Sequence, residues 1–147
     1  MPVEQQAAGV VDPTCPPSLV ELLTLVSRRV ARGVTAALAE DGASLDSYRV
    51  MRALASAPGR AMSELGTVLC LPPPTATRLV DGLVDAALAY RLPDPRDGRR
   101  VLVHLSPQGR LRLDRLEALV AAHESALAAE LGAERVGALV RALTDLA

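Results

Sequence analysis

Proline placement constrains this chain more than any other feature. Four of its 11 prolines fall within residues 1–17, the rest fall within 58–107, and none occurs in 18–57 or 108–147. A proline inside a helix costs about 3 kcal/mol, because it removes a backbone donor and its ring strikes the preceding turn. Long helices are therefore confined to the two proline-free stretches, and the middle of the chain must be cut into short elements. At 147 residues the chain is long enough for one domain with a real core.

Residues 1–17 read as a flexible lead-in, and 18–147 as a single domain. Ser18 is placed to cap a first helix whose apolar residues Leu19, Leu22, Leu23, Val26, Val30 and Val34 recur at helical spacing, until Glu40-Asp41-Gly42 ends it. Leu45-Asp46 opens a second helix, with Asp46 as its N-cap and Tyr48, Met51 and Leu54 on its apolar side, and Pro58-Gly59 stops it. Two shorter helices follow over about 61–70 and 73–87, separated by Cys70-Leu71-Pro72, with Pro73 at a first helical position that tolerates it. Ala89 to Pro93 and Arg99 to Leu105 alternate as two strands, joined by the turn residues Asp94-Pro95-Arg96-Asp97-Gly98. Ser106-Pro107 starts a long helix with a stripe through Leu111, Leu116, Leu119, Val120 and Leu127. Gly132 breaks it, and a last helix carries Val136, Leu139, Val140, Leu143 and Leu146.

This order makes a mainly α chain with a small β-hairpin wing, a winged helix-turn-helix. Such a fold reads DNA with a helix narrow enough for the major groove, whose N-terminal half bears short polar side chains and a cation. Pro73-Pro74-Thr75-Ala76-Thr77-Arg78 meets that requirement. The threonine methyl and hydroxyl groups suit thymine methyls or phosphates, and Arg78 suits a guanine edge or a phosphate. Arg96, Arg99 and Arg100 stand at or beside the hairpin tip, where a wing meets the minor groove or its phosphates. The formal charge is only −1 and there is no lysine, which by itself speaks against a uniformly basic coat protein. Residues 49–115, however, hold 11 arginines against 6 acidic residues, while 1–48 hold 3 against 6 and 116–147 hold 2 against 5. Near-neutrality is a cancellation between a basic middle and acidic ends.

The run Asp97-Gly98-Arg99-Arg100-Val101-Leu102-Val103-His104-Leu105-Ser106-Pro107-Gln108-Gly109 resembles the wing of the MarR family of bacterial transcription regulators, with Val103 for Leu and Ser106 for Thr. Met62-Ser63-Glu64-Leu65 and Thr75 to Leu83 resemble its two helix-turn-helix helices, and Leu45 to Leu54 its second helix. The resemblance implies a homodimer built from the helices at 18–42 and 106–147, carrying a winged-helix lobe at 45–105. It implies binding to a pseudo-palindromic, double-stranded operator, usually as a repressor. Ser63, Pro73, Thr75, Ala76, Thr77 and Arg78 then face DNA together with Arg96, Arg99 and Arg100. Asp97 is expected to pair with a wing arginine and hold the tip. A small aromatic or lipophilic effector enters a pocket between the dimer helices and the lobe in many members, and Tyr48 and Arg52 are the candidates to line it. The chain departs from the family pattern at Pro72, where a Ser or Thr cap is usual, and at Ala87, where Gly is usual. A left-handed alanine costs roughly 1 kcal/mol, which predicts a different helix end there.

Other readings are weaker in chemistry. A winged helix can bind protein instead of DNA, which the basic middle opposes. Cys15 is an alternative thiol sensor beside the first helix, while Cys70, between Leu69 and Leu71, reads as a buried structural thiol. His104 and His123 lack a metal-ligand spacing. No nucleophile elbow, phosphate-binding glycine loop or HExxH is present, so no enzyme is expected, and neither a cofactor nor a metal. No run reaches the roughly 18 apolar residues of a membrane span and no signal peptide pattern is present, so the expectation is a bacterial cytoplasmic protein, on the nucleoid when DNA-bound.

Overall fold

The computed structural model describes residues 15–147, so most of the expected lead-in at 1–17 lies outside the described residues. The elements run α1 (Leu19–Ala39), α2 (Leu45–Ala55), β1 (Arg60–Ala61), α3 (Met62–Leu69), α4 (Pro73–Asp85), β2 (Ala89–Asp94), β3 (Asp97–Leu105), α5 (Pro107–Leu131) and α6 (Ala133–Leu146). The chain divides into two units at Arg32/Gly33. The first holds the start of α1, opened by a reciprocal cap: the Ser18 backbone N–H donates to the Glu21 carboxylate at 2.9 Å and the Glu21 N–H donates to Ser18 Oγ at 3.4 Å. The hydrogen bonds from the Ser18 backbone and hydroxyl hold the Glu21 carboxyl below its ordinary pKa. Leu19, Val20, Leu22, Leu23, Leu25 and Val26 are all exposed in this unit.

The second unit contains the core. Leu38, Met51, Leu54, Leu65, Val80, Val103 and Leu116 are essentially removed from water, each contributing about 1.5–3 kcal/mol of apolar burial. No polar or charged residue is buried among the described residues. α2 is central, packing on α3, α4, α5 and β3. Its N-cap is Ser44 rather than Asp46: Ser44 has extended backbone (φ −90, ψ 155) and its Oγ accepts the Ser47 N–H at 3.1 Å. Asp46 sits within the first turn, where its carboxylate meets Arg49 at 3.4 Å and the positive end of the helix.

The strands form one antiparallel sheet of order β1-β3-β2. β1 was not expected; two residues are too short to show a period, yet Arg60 and Ala61 pair with Val103 and Leu102. The hairpin is also longer than expected. Asp94 pairs with Asp97, which leaves only Pro95 and Arg96 in the turn. Both aspartates stabilise it through the backbone: Asp94 Oδ1 accepts the Arg96 N–H at 2.9 Å, and Asp97 Oδ1 the Arg99 N–H at 3.1 Å.

α5 begins at the expected cap, with Ser106 Oγ accepting the Gly109 N–H at 2.9 Å. Its inward stripe is Gly109, Leu113, Leu116 and Val120, while Leu111 is exposed. The phase is set by Gly109, whose bare Cα lies against the Leu88 carbonyl. α4 does end in a left-handed residue despite the absence of glycine. Ala87 has φ 58, its N–H donates to Val84 O at 2.9 Å, and the Leu88 N–H donates to Leu83 O at 2.8 Å, the paired bonds of a Schellman ending. The Ser106 hydroxyl donates to Ala87 O at 2.7 Å and helps hold that conformation.

Candidate nucleic-acid interface

α3, the turn after it and α4 form the helix-turn-helix. Cys70 terminates α3 in the left-handed region (φ 53), with the Cys70 N–H donating to Thr67 O at 3.3 Å and the Leu71 N–H to Gly66 O at 3.0 Å. This conformation turns the thiol outward, so Cys70 is exposed and not the buried thiol expected. Arg49 of α2 reaches across to donate to Leu69 O at 2.8 Å, satisfying a carbonyl at the end of α3. That arginine escaped notice because its partner lies 20 residues away.

The start of α4 has an unusual surface. Pro72 is its N-cap and Pro73 and Pro74 are its first residues, so none of the three has a backbone donor. The next two N–H groups, of Thr75 and Ala76, both donate to Pro72 O at 3.0 Å. This helix end therefore has no amide left to hold a phosphate, unlike an ordinary helix N-terminus. Pro73, Pro74, Thr77 and Arg78 are exposed and Thr75 is half-buried. Ala76 is only 1% exposed, which corrects its inclusion in the DNA-facing set: helical phase turns it inward with Val80 and Leu83. The Thr77 hydroxyl donates to Pro73 O at 3.0 Å. A hollow of about 490 Å³ lies between the two helices, lined by Met62, Ser63, Thr67, Leu71, Pro73 and Thr77, with Ser63 itself exposed.

The arginines separate into two classes. Arg78, Arg96 and Arg99 are exposed and form no ion pair among the described residues. Arg100, by contrast, meets Glu64 of α3 at 3.1 Å and Asp94 at 3.9 Å, and Arg91 meets Asp81 of α4 at 2.6 Å. Arg100 is thus engaged in tying the wing to α3. Glu64 also accepts the Ala61 N–H at 3.4 Å through its second oxygen, so one carboxylate serves the start of α3 and the wing together. Among the described residues Asp97 does not pair with a guanidinium; at the exit of a two-residue turn its short side chain reaches the Arg99 backbone, and the ion pair on the wing falls to Asp94.

Tyr48 and Arg52 do come together on α2. The Arg52 guanidinium lies 5.8 Å from the centre of the Tyr48 ring and 3.6 Å from the Glu117 carboxylate of α5. Tyr48 is buried while the Arg52 side chain is largely exposed. Burial pushes the Tyr48 phenol up from its ordinary pKa, against the lowering influence of Arg52. The remaining aromatic, Tyr90, stacks on His104 with ring centres 5.2 Å apart across the hairpin.

A sequence description of the MarR family matches residues 41–100, from the turn after α1 into the first part of β3. A protein assigned to regulation of the hcr operon in Thauera aromatica is 27% identical over 119 residues, covering 81% of this chain and 70% of that protein. Wild-type MarR from E. coli, in its apo form, superposes with a TM-score of 0.80 at 27% identity, over 88% of this chain and 97% of that one. The transcriptional repressor CouR, bound to a 23-mer DNA duplex, gives 0.81 at 28% identity, over 88% and 92%. A second structure of CouR, from Rhodococcus jostii RHA1 and bound to p-coumaroyl-CoA, gives 0.77 at 25% identity, over 88% and 91%. In the order of its elements, the exposed second helix of the helix-turn-helix and the arginine-tipped wing, the chain is similar to these MarR-family regulators.

Proposed function

We propose that this protein is a sequence-specific, DNA-binding transcriptional regulator, a ligand-responsive repressor that binds a pseudo-palindromic operator as a homodimer. The observation that carries the reading is the set of unpaired, exposed arginines on the two elements that meet DNA in this fold, Arg78 on α4 and Arg96 and Arg99 on the wing. α4 enters the major groove with Thr75, Thr77 and Arg78, flanked by Pro73 and by Ser63 of α3, while the wing arginines reach the minor groove or its phosphates. The apolar residues exposed on the start of α1, and Leu139, Val140, Leu143 and Leu146 exposed on α6, are surfaces that a second copy covers. Repression follows from occupancy of a promoter, with no chemical step, and places the protein in the cytoplasm on the nucleoid.

The effector is an aromatic or lipophilic acid or its thioester, a class supported by the p-coumaroyl-CoA held by CouR. Tyr48 and Arg52 contribute a ring edge and a cation to its site, suited to an aromatic group bearing an anionic arm. Binding shifts the dimer toward a spacing of recognition helices that no longer matches successive major grooves.

The test is gel-shift binding to the protein's own upstream region over a salt series. Wild type binds with a steep salt dependence, and Arg99→Ala and Arg78→Ala each weaken binding while circular dichroism stays unchanged. Equal binding by wild type and Arg99→Ala would remove the wing from the interface.

A further inference from the structure

We propose that the first two turns of α4 read thymine through its 5-methyl group, using an apolar lip of Pro73, Pro74 and the Thr77 methyl with Arg78 as the single base-edge cation beside it. The proposal rests on the reading of α4 as a DNA-recognition helix and specifies what that helix selects. Direct readout ordinarily pairs donors with acceptors, and this end of α4 has had its backbone donors removed or engaged. Pro73 and Pro74 expose ring methylenes and carry no N–H. The Thr75 and Ala76 N–H groups end on Pro72 O at 3.0 Å. The Thr77 hydroxyl gives its one proton to Pro73 O, also at 3.0 Å, so it has no proton to donate to a base and offers its methyl beside acceptor lone pairs alone.

Thymine is the base that carries an apolar group on its major-groove edge. All four bases present polar atoms there, thymine its O4, but on guanine, adenine and cytosine a pressed proline ring strips water with no methyl contact in return. Thymine is thus favoured by contact and the other bases are disfavoured by desolvation. Arg78 follows directly, exposed and without a carboxylate partner among the described residues, and its fork of donors fits guanine O6 and N7. Each half-site is read as a thymine methyl close to a guanine.

The experiment selects duplexes from a random library with the full chain. Such a library contains no 5-methylcytosine, so any methyl requirement traces to thymine. Each thymine of the selected duplex is then replaced by deoxyuridine, which pairs identically but lacks the methyl. One or two replacements per half-site should each cost about fourfold in affinity, the worth of one buried methyl-sized group. Thr77→Val keeps the methyl and drops the hydroxyl, and should bind within about twofold of wild type. Thr77→Ser keeps the hydroxyl, and should lose about fourfold on the thymine duplex and nothing on its deoxyuridine counterpart. Equal affinity for thymine and deoxyuridine duplexes, or weaker binding by Thr77→Val than by Thr77→Ser, overturns the proposal while leaving DNA recognition intact. Failure to select any duplex removes DNA recognition itself and the proposal with it.

Discussion

Gly109, the third residue of α5, stands where the chain closes back on the end of α4. A Cβ there would lie 2.0 Å from the Leu88 carbonyl oxygen, 2.8 Å from Leu105 Cδ1 and 3.0 Å from the Leu88 carbonyl carbon. Non-bonded carbon atoms settle near about 3.5 Å, so Gly109→Ala demands a backbone shift of more than about 1 Å. The obstacle cannot move freely. Leu88 O accepts the Ser106 N–H at 2.9 Å, and the Ser106 hydroxyl both donates to Ala87 O at 2.7 Å and accepts the Gly109 N–H at 2.9 Å. Overpacking of this kind costs about 1–3 kcal/mol, and each of these bonds lost adds about 0.5–1.5 kcal/mol. Alanine returns up to about 1 kcal/mol through its better helix propensity. The expected net loss is about 2–3 kcal/mol, a fall of about 5–10 °C in Tm for a chain of this size. Gly82→Ala in α4 provides the contrast, because nothing lies within 4 Å of its added Cβ; it should stabilise the fold by up to about 1 kcal/mol. Thermal unfolding followed by circular dichroism at fixed protein concentration measures both. Gly109→Ala matching wild type within about 0.5 kcal/mol, with Gly82→Ala stabilising as expected, would refute the close-approach argument.

Three further outcomes follow from the geometry. Ala87→Gly should raise stability by about 0.5–1 kcal/mol in the same melting assay, since Ala87 holds φ 58 without the freedom of glycine; an unchanged or lower Tm counts against strain there. Glu64→Gln should leave Arg100 only its longer 3.9 Å contact with Asp94, free it toward DNA phosphates and increase the slope of log affinity against log salt by up to about one contact, whereas an unchanged slope counts against Glu64 as the group that withholds Arg100 from DNA. Tyr48 has a folded-state pKa raised by burial, so its contribution is complete below its unfolded value of about 10 and is lost as pH climbs through the folded one. Urea stability measured across that alkaline range should fall less for Tyr48→Phe than for wild type, and parallel curves would contradict the assignment.

The long helices were legible because proline and hydrophobic period agree there: α1 and α6 hold no proline, and α5 holds one only at its first position, Pro107, where a helix tolerates it. Ser18 and Ser106 were readable as caps because a cap is a local bargain between neighbours. Phase within a helix was less legible. Ala76 differs from Thr75 and Thr77 in facing by helical rotation, and small residues do not announce which face they occupy; Leu111 is apolar yet exposed because the close approach at Gly109 sets the phase of α5. Non-local pairing was least legible. β1 exists through Val103 and Leu102, Arg49 caps a carbonyl 20 residues on, and Arg100 finds Glu64 at a separation of 36 residues. The same long-range pairing divides the wing arginines into engaged and free, a distinction that composition cannot carry. Ala87 shows tertiary contact overriding local preference, since the Ser106 bond holds alanine where glycine was expected.

The strand order β1-β3-β2 has a mechanical consequence. β1 runs directly into α3, and the pairing of Arg60 and Ala61 with β3, reinforced by Glu64 and Arg100, fastens the wing to the helix-turn-helix at its root. Under the proposed function, one subunit is then a caliper of set opening, with α4 and the wing tip a constant distance apart. A half-site cannot gain or lose a base pair between its major-groove and minor-groove contacts. Variation among operators is left to the central spacer, where the two calipers turn against each other.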